Sequence, residues 1–262
     1  MSSQITPSYL QFTEIAGEEV SQEQIDRMVN RYAWAGSYCK GKDVLEVACG
    51  TGQGLGYLSK LSRTLQAGDV SPELVGIAKS IYQDSITIVE LDAHKLPYND
   101  ASIDVILLFE ALYYLSSPEL FVQECARVLR SSGQVLIATA NRDLYDFNPS
   151  LHTYRYYSAS DLPELFLPAG FKVRIFGDTP LEQVSLRQKL LRPLKRLAVR
   201  FNIIPKTMGG KRLLKRLVFG RMVPMPAQLE IPGDLIYHAT AVVAGQPDHK
   251  HKVLFCEATL AH

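Results

Sequence analysis

The 262-residue sequence is poor in the features that mark a stapled, metal-bound or membrane-embedded fold. Its four cysteines (Cys39, Cys49, Cys125 and Cys256) are scattered. They form no CxxC pair and no Cys/His zinc spacing, so no metal centre is expected and the thiols read as reduced. No apolar run approaches the roughly 20 residues that a membrane-spanning helix needs. The first residues, MSSQITPSYLQFTE, lack a basic start and an apolar core. They do not read as a secretory leader, and a cytoplasmic protein is expected.

Acidic residues are missing from one long stretch. Between Glu182 and Glu230 there are none, against 12 Lys/Arg spread from Arg187 to Arg221. The rest of the chain holds 16 Lys/Arg against 27 Asp/Glu, so a formal charge of +1 conceals a basic segment on an acidic body. Within that segment Leu190, Leu194, Leu197 and Phe201 recur at helical spacing, and KRLLKRLVFG begins a second amphipathic piece. Such a segment suits an anionic acceptor or peripheral contact with an acidic membrane through residues 187–221. It also suits a helical lid with a solvated basic face. Little aromatic interleaving argues against nucleic acid.

The remaining composition is that of an ordinary globular domain, 47% hydrophobic and 21% charged. Residues 21–35, SQEQIDRMVNRYAWA, open on a Ser cap and place Ile25, Met28, Val29, Tyr32 and Ala33 on one helical face. From residue 43 short apolar strands alternate with helices: DVLEVA, RTLQAGDV, ITIVELD, IDVILLFE and QVLIATA are the strands. SPELVGIAKSIY and SPELFVQECARVLR read as helices capped by Ser71 and Ser117, the second unit ending at Gly133. After a helix ending near Gly170 come FKVRIFGDT and, beyond the basic segment, HKVLFCEATL. The pattern predicts an α/β fold with a doubly wound, mostly parallel sheet covered on both faces. The last strand lacks a crossover helix and can enter antiparallel. The expected organisation is a core over 1–180 with an N-terminal helical cap, a basic helical lid over 181–230, and closing strands over 231–262.

In such sheets ligands sit beyond the carboxyl ends of the strands. The first strand ends at Glu46, and Gly50, Thr51, Gly52 and Gly54 form the turn after it. The second ends at Asp69, where an acidic residue suits the hydroxyls of an adenosine ribose. The third ends at Asp92, followed by Ala93 and His94, and the fourth at Phe109–Glu110. A glycine turn alone is shared with dinucleotide folds, but polar residues at four strand ends are more specific.

These segments, VLEVACGTGQG, GDVSPELVGIAKS, VELDAHKLPYNDASIDVILLFEALYYL and ECARVLRSSGQVLIATAN, resemble the type 11, UbiE-like branch of class I S-adenosylmethionine (SAM)-dependent methyltransferases over residues 30–178. The resemblance implies a Rossmann-like, seven-stranded sheet of order 3-2-1-4-5-7-6 and SAM as cofactor. It implies that Glu46, Ala48, Gly50 and Gly52 line the methionine and ribose portion. Asp69 would hold the ribose hydroxyls, with Val70 and Leu74 against the adenine. Asp92 and Ala93 would meet the adenine amine and ring, and Phe109 and Glu110 the methionine end. Tyr32, Cys49, Thr51 and His94 complete the expected set. Ala48 stands where many relatives have Gly.

Transfer to a hydroxyl usually needs a general base. The candidates are His94, Tyr113, Tyr114, His152, Tyr154, Tyr156 and Tyr157, with His152, Glu110 and Tyr114 in front. The aromatic stretch ANRDLYDFNPSLHTYRYYS resembles a segment of methyltransferases found beside glycosyltransferases. The expected function is methylation, at oxygen, of a small molecule or glycan. The rival readings are a nicotinamide-dependent oxidoreductase and a SAM-binding module without catalysis.

Overall fold

The computed structural model of the chain describes residues 14–150, 153–183, 193, 222–232, 235 and 237–261. The basic helices expected within 187–221 lie outside these, apart from Pro193. Among the described residues no helix is long and apolar enough to cross a membrane.

Strand β1 (Glu19–Ser21) leads directly into helix α1 (Gln22–Cys39). Ser21 and Gln24 close a capping box: the Gln24 N–H donates to the Ser21 hydroxyl, and the Ser21 N–H donates to Gln24 Oε1 at 3.1 Å. Two of the amide donors left over at a helix start are thereby satisfied. The buried residues of α1 include Met28, Tyr32 and Ala35, as the helical spacing requires.

The alternation then builds β2 (Asp43–Val47), α2 (Leu55–Leu61), β3 (Thr64–Asp69), α3 (Pro72–Tyr82), β4 (Thr87–Glu90), β5 (Ile103–Phe109), α4 (Pro118–Val128) and β6 (Leu129–Ala140). Helix α5 (Asp161–Phe166) and β7 (Phe171–Pro180) follow, then β8 (Met222–Pro224), β9 (Thr240–Val242) and β10 (His251–Leu260). The main sheet runs β4-β3-β2-β5-β6-β10-β7-β9, with β10 antiparallel to both β6 and β7. Its first seven places match the expected order. The eighth corrects the expected strand count: Thr240–Val242 adds antiparallel to β7 and pairs an edge that would otherwise stay open.

Central strands are apolar on both faces because both faces are covered. On β5, Val105, Leu107 and Phe109 pack towards α1, while Ile106 and Leu108 pack with Phe121 of α4 and Leu162 of α5. Trp34 of α1 stacks on Phe255 of β10 with ring centroids 4.7 Å apart. Two local expectations are corrected. Helix α4 stops at Val128, and Gly133 lies inside β6, since the chain turns extended at Leu129 and pairs with β5. Ser117 makes no side-chain cap; its backbone N–H donates to a histidine instead.

Beyond the basic segment, the chain returns to the start. Strand β8 pairs antiparallel with β1, and Met225 and Leu229 are buried in the cluster that includes Met28 and Tyr32. The Leu229 N–H donates to the Gln53 carbonyl at 2.8 Å, fastening this segment to the turn after β2. Replacing Ser21 by Ala removes the cap at the point where β1, β8 and α1 meet. A loss of about 1 kcal/mol is expected, read as a fall of roughly 2–4 °C in the thermal midpoint.

Candidate functional site

The carboxyl ends of β2, β3, β4 and β5 open on one cavity of about 310 Å³. Glu46 sits near the end of β2, 2% exposed. The Tyr32 hydroxyl donates to its Oε1 at 2.5 Å. Gly54 allows that reach, because a Cβ there would lie 2.1 Å from the Tyr32 ring. Burial pushes the Glu46 carboxyl up to about 7, against the lowering pull of the Tyr32 hydroxyl and the Arg31 charge. Its other oxygen, Oε2, is buried without a hydrogen-bond partner among the described residues.

At the end of β3, Asp69 accepts the Gly50 N–H on Oδ2 at 2.9 Å and the Ser71 N–H on Oδ1 at 3.0 Å. Burial raises its carboxyl above the usual range despite these donors. Each oxygen keeps capacity for one more donor, as two ribose hydroxyls would require. Ser71 itself caps α3 by accepting from the Leu74 N–H, as expected. Val70, Leu74, Leu91 and Ala93 supply apolar wall at this end.

Asp92 accepts from the His94 N–H at 2.9 Å and pairs with His94 Nδ1 at 2.7 Å. Burial opposes ionisation, but these two contacts hold the carboxyl below its ordinary value. His94 Nε2 accepts the Ser117 N–H at 3.3 Å, so both ring nitrogens are engaged. A histidine with its lone pair spent is a bracket between two loops and a poor base.

The opposite end of the cavity is built by α1 and the segment after β5. Arg27 and Arg31, one helical turn apart, line it together with Glu14, Glu46 and Glu110. Arg31 Nε is buried without a hydrogen-bond partner among the described residues. Glu110 has φ +52°, and its Oε2 accepts from the Tyr113 hydroxyl at 3.0 Å. Burial holds the Glu110 carboxyl above its ordinary value, with Arg31 and Arg27 opposing. Burial also pushes Tyr114 up to about 12, so it stays a neutral phenol and is no phenolate base.

Of the expected cofactor residues, Tyr32, Glu46, Ala48, Cys49, Gly50, Asp69, Val70, Leu74, Asp92, Ala93, His94, Phe109 and Glu110 all line the cavity. Thr51 and Gly52 are corrected: they sit behind the turn, where Thr51 Oγ1 donates to the Glu14 carbonyl and the Gly52 carbonyl accepts from Tyr82. Among the expected bases, Tyr113 and Tyr114 line the wall. Tyr156 stacks on Tyr113 at 4.5 Å, outside the lining. Tyr154 is 70% exposed and Tyr157 belongs to the core beside α4 and α5, so neither reaches the cavity. His152 lies outside the described residues. Arg27 and Arg31 were not anticipated from sequence, although they flank the buried Met28 and Tyr32 on α1 and so border its buried face.

Of the buried side-chain atoms without a hydrogen bond among the described residues, two, Glu46 Oε2 and Arg31 Nε, belong to cavity-lining residues. An unpartnered acid beside an unpartnered guanidinium fits an α-amino-acid group, and the Asp69 end fits an adenosine. SAM carries both. The order of the sheet and this two-ended cavity define a Rossmann-like methyltransferase architecture.

Comparison with known proteins agrees. Residues 45–137 match the model of a methyltransferase domain. A probable S-adenosylmethionine-dependent methyltransferase of Mycobacterium tuberculosis is 35% identical over 139 residues, covering 51% of this chain and 50% of that protein. An O-methyltransferase of Penicillium expansum is 28% identical, covering 64% of this chain and 62% of its own. The chain therefore spans about half the length of the mycobacterial relative. The YcgJ protein of Bacillus subtilis shares the fold with a TM-score of 0.56 at 15% identity, over 92% of this chain and 99% of that one.

Two outcomes follow from this geometry. Ala48 holds φ +56°, a left-handed conformation that costs a residue with a Cβ about 1–2 kcal/mol. Ala48→Gly should therefore stabilise, by about 0.5–1 kcal/mol once the greater freedom of unfolded Gly is offset, seen as a raised thermal midpoint. Glu46 must be ionised to receive an ammonium. Affinity for SAM should thus rise with pH through about 7, by roughly tenfold between pH 6 and 8. Calorimetry of Glu46→Gln should give weaker binding and a flat pH profile; an unchanged slope would remove Glu46 from the site.

Proposed function

We propose that the chain is a SAM-dependent methyltransferase that methylates an oxygen of a small-molecule or glycan acceptor. The observation that carries this reading is the pair of orphaned opposite charges, Glu46 Oε2 and Arg31 Nε, at one end of a cavity whose other end is Asp69. Glu46 takes the ammonium of the methionine portion and Arg31 its carboxylate. Asp69 takes the ribose hydroxyls, with Val70, Leu74 and Ala93 around the adenine. Bound SAM supplies a methyl group on a sulfonium, ready for in-line displacement.

The chain's own task is to seat the acceptor and keep water away. Tyr113 and Tyr114 form the aromatic wall beside Glu110. Among the described residues, Glu110 is our choice for the group that receives the acceptor proton: burial makes it a stronger base than an exposed carboxylate, and Tyr113 fixes its orientation through Oε2. The choice of oxygen is supported by the similarity to the O-methyltransferase of Penicillium expansum.

Calorimetry with SAM and, separately, NAD tests the reading. SAM binding with no NAD binding is expected, and Asp69→Ala should lose about 10- to 100-fold in SAM affinity, the worth of charge-assisted hydrogen bonds. NAD binding without SAM binding would sink the proposal.

A further inference from the structure

Helix α1 presents two guanidiniums to the cavity, at Arg27 and Arg31. The methionine portion of SAM has one carboxylate, which satisfies one of them. Three carboxylates share this wall, yet each has a different donor: Gln24 donates to Glu14 Oε1, Tyr32 to Glu46 Oε1 and Tyr113 to Glu110 Oε2. Among the described residues neither arginine has an ion pair or a hydrogen bond from its guanidinium. Arg31 does rest near the Tyr32 ring, 5.7 Å from its centroid.

Arg31 lies beside Tyr32 and so next to Glu46. Arg27 sits one turn nearer the start of α1, together with Gln24. Like Arg31, it is half-buried. Glu110 feels the charge of Arg27 without an ion pair or hydrogen bond to it, and a partly desolvated guanidinium so placed is suited to receive an oxyanion, since its planar fork matches carboxylate and phosphate geometry.

We propose that the acceptor carries an oxyanion, a carboxylate or a phosphate, and that Arg27 receives it while Arg31 holds the cofactor's carboxylate. This rests on the methyltransferase reading and gives the acceptor its chemical class. The strongly basic stretch between Glu182 and Glu230 belongs to the same picture. Its far end is fastened beside the cavity by β8 on β1 and by Leu229 on Gln53, whose side chain in turn donates to the Glu14 carbonyl.

The test uses the full chain saturated with S-adenosylhomocysteine, the demethylated cofactor, which carries the same amino-acid end. Inorganic phosphate and acetate are titrated separately at matched ionic strength with sodium chloride, following the arginine Nε–Hε resonances. A saturable shift of the Arg27 resonance is expected, weakened at least about tenfold in Arg27→Gln and partly retained in Arg27→Lys. A response to phosphate alone assigns a phosphorylated acceptor, and a response to acetate alone a carboxylate. No shift beyond that of chloride, or an undiminished response in Arg27→Gln, overturns the proposal. Calorimetry with S-adenosylhomocysteine keeps the two readings apart. Its failure to bind the unmodified chain would sink the methyltransferase reading, whereas binding without an anion response would sink only the role of Arg27.

Discussion

A carboxyl group kept out of water at the end of the central strand is the constraint on which the site depends. Glu46 is 2% exposed and has one hydrogen-bond donor for two oxygens. Burying a carboxylate is expensive unless something compensates its charge. The fold supplies half the compensation. Tyr32 crosses from α1 over Gly54, whose missing Cβ leaves room for the ring, and Phe109 closes the ring edge-on at 5.3 Å. The helix register, the glycine turn and the end of β5 are therefore tied to one side chain, and the uncompensated half faces the cavity.

That arrangement is held from a distance. The turn after β2 does not stand alone: Gln53 donates its side chain to the Glu14 carbonyl at 2.5 Å, and the Gln53 carbonyl receives the Leu229 N–H. Segments at the two extremes of the chain thus brace the same turn, joined to each other by β1 and β8. Long sequence separation makes these contacts entropically costly to form, so the burial of Met225 and Leu229 against α1 has to offset it. One consequence is that the chain re-enters the fold after the basic segment next to the cofactor turn.

How far the sequence disclosed this depends on which interactions are periodic. Parallel strands buried on both faces read as continuous apolar runs that stop abruptly, so Glu46, Asp69, Asp92 and Glu110 could be placed at strand ends without coordinates. Helical spacing likewise placed Tyr32 on the buried face of α1. The same spacing marks only the buried stripe, and for that reason Arg27 and Arg31 on its border escaped notice. Ser117 looked like a cap because Ser-Pro commonly opens helices, but a tertiary partner, His94 Nε2, took its N–H. Strand β9 has three residues and no period to detect. Tyr154, Tyr156 and Tyr157 are equivalent in sequence, yet an irregular loop sends them to solvent, to a stacked ring and to the core.

The unpaired oxygen of Glu46 also explains how a glycine-turn fold can distinguish one nucleotide cofactor from another. Burial raises the Glu46 carboxyl to about 7, so it keeps a proton below neutral pH and loses it as pH rises through that value. An ammonium offered at Oε2 performs the same electrostatic service as that proton, so binding and proton release become a single event at this atom. A dinucleotide has the adenosine that Asp69 can grip but brings no ammonium to this end. Its binding would leave Glu46 either protonated or buried as an uncompensated charge, each pKa unit of mismatch being worth about 1.4 kcal/mol. Arg31 would sharpen the discrimination, because its buried Nε has no partner among the described residues. In the proposed reading, Asp69 would admit a class of ligands and the Glu46–Arg31 pair would select the one with an amino-acid tail.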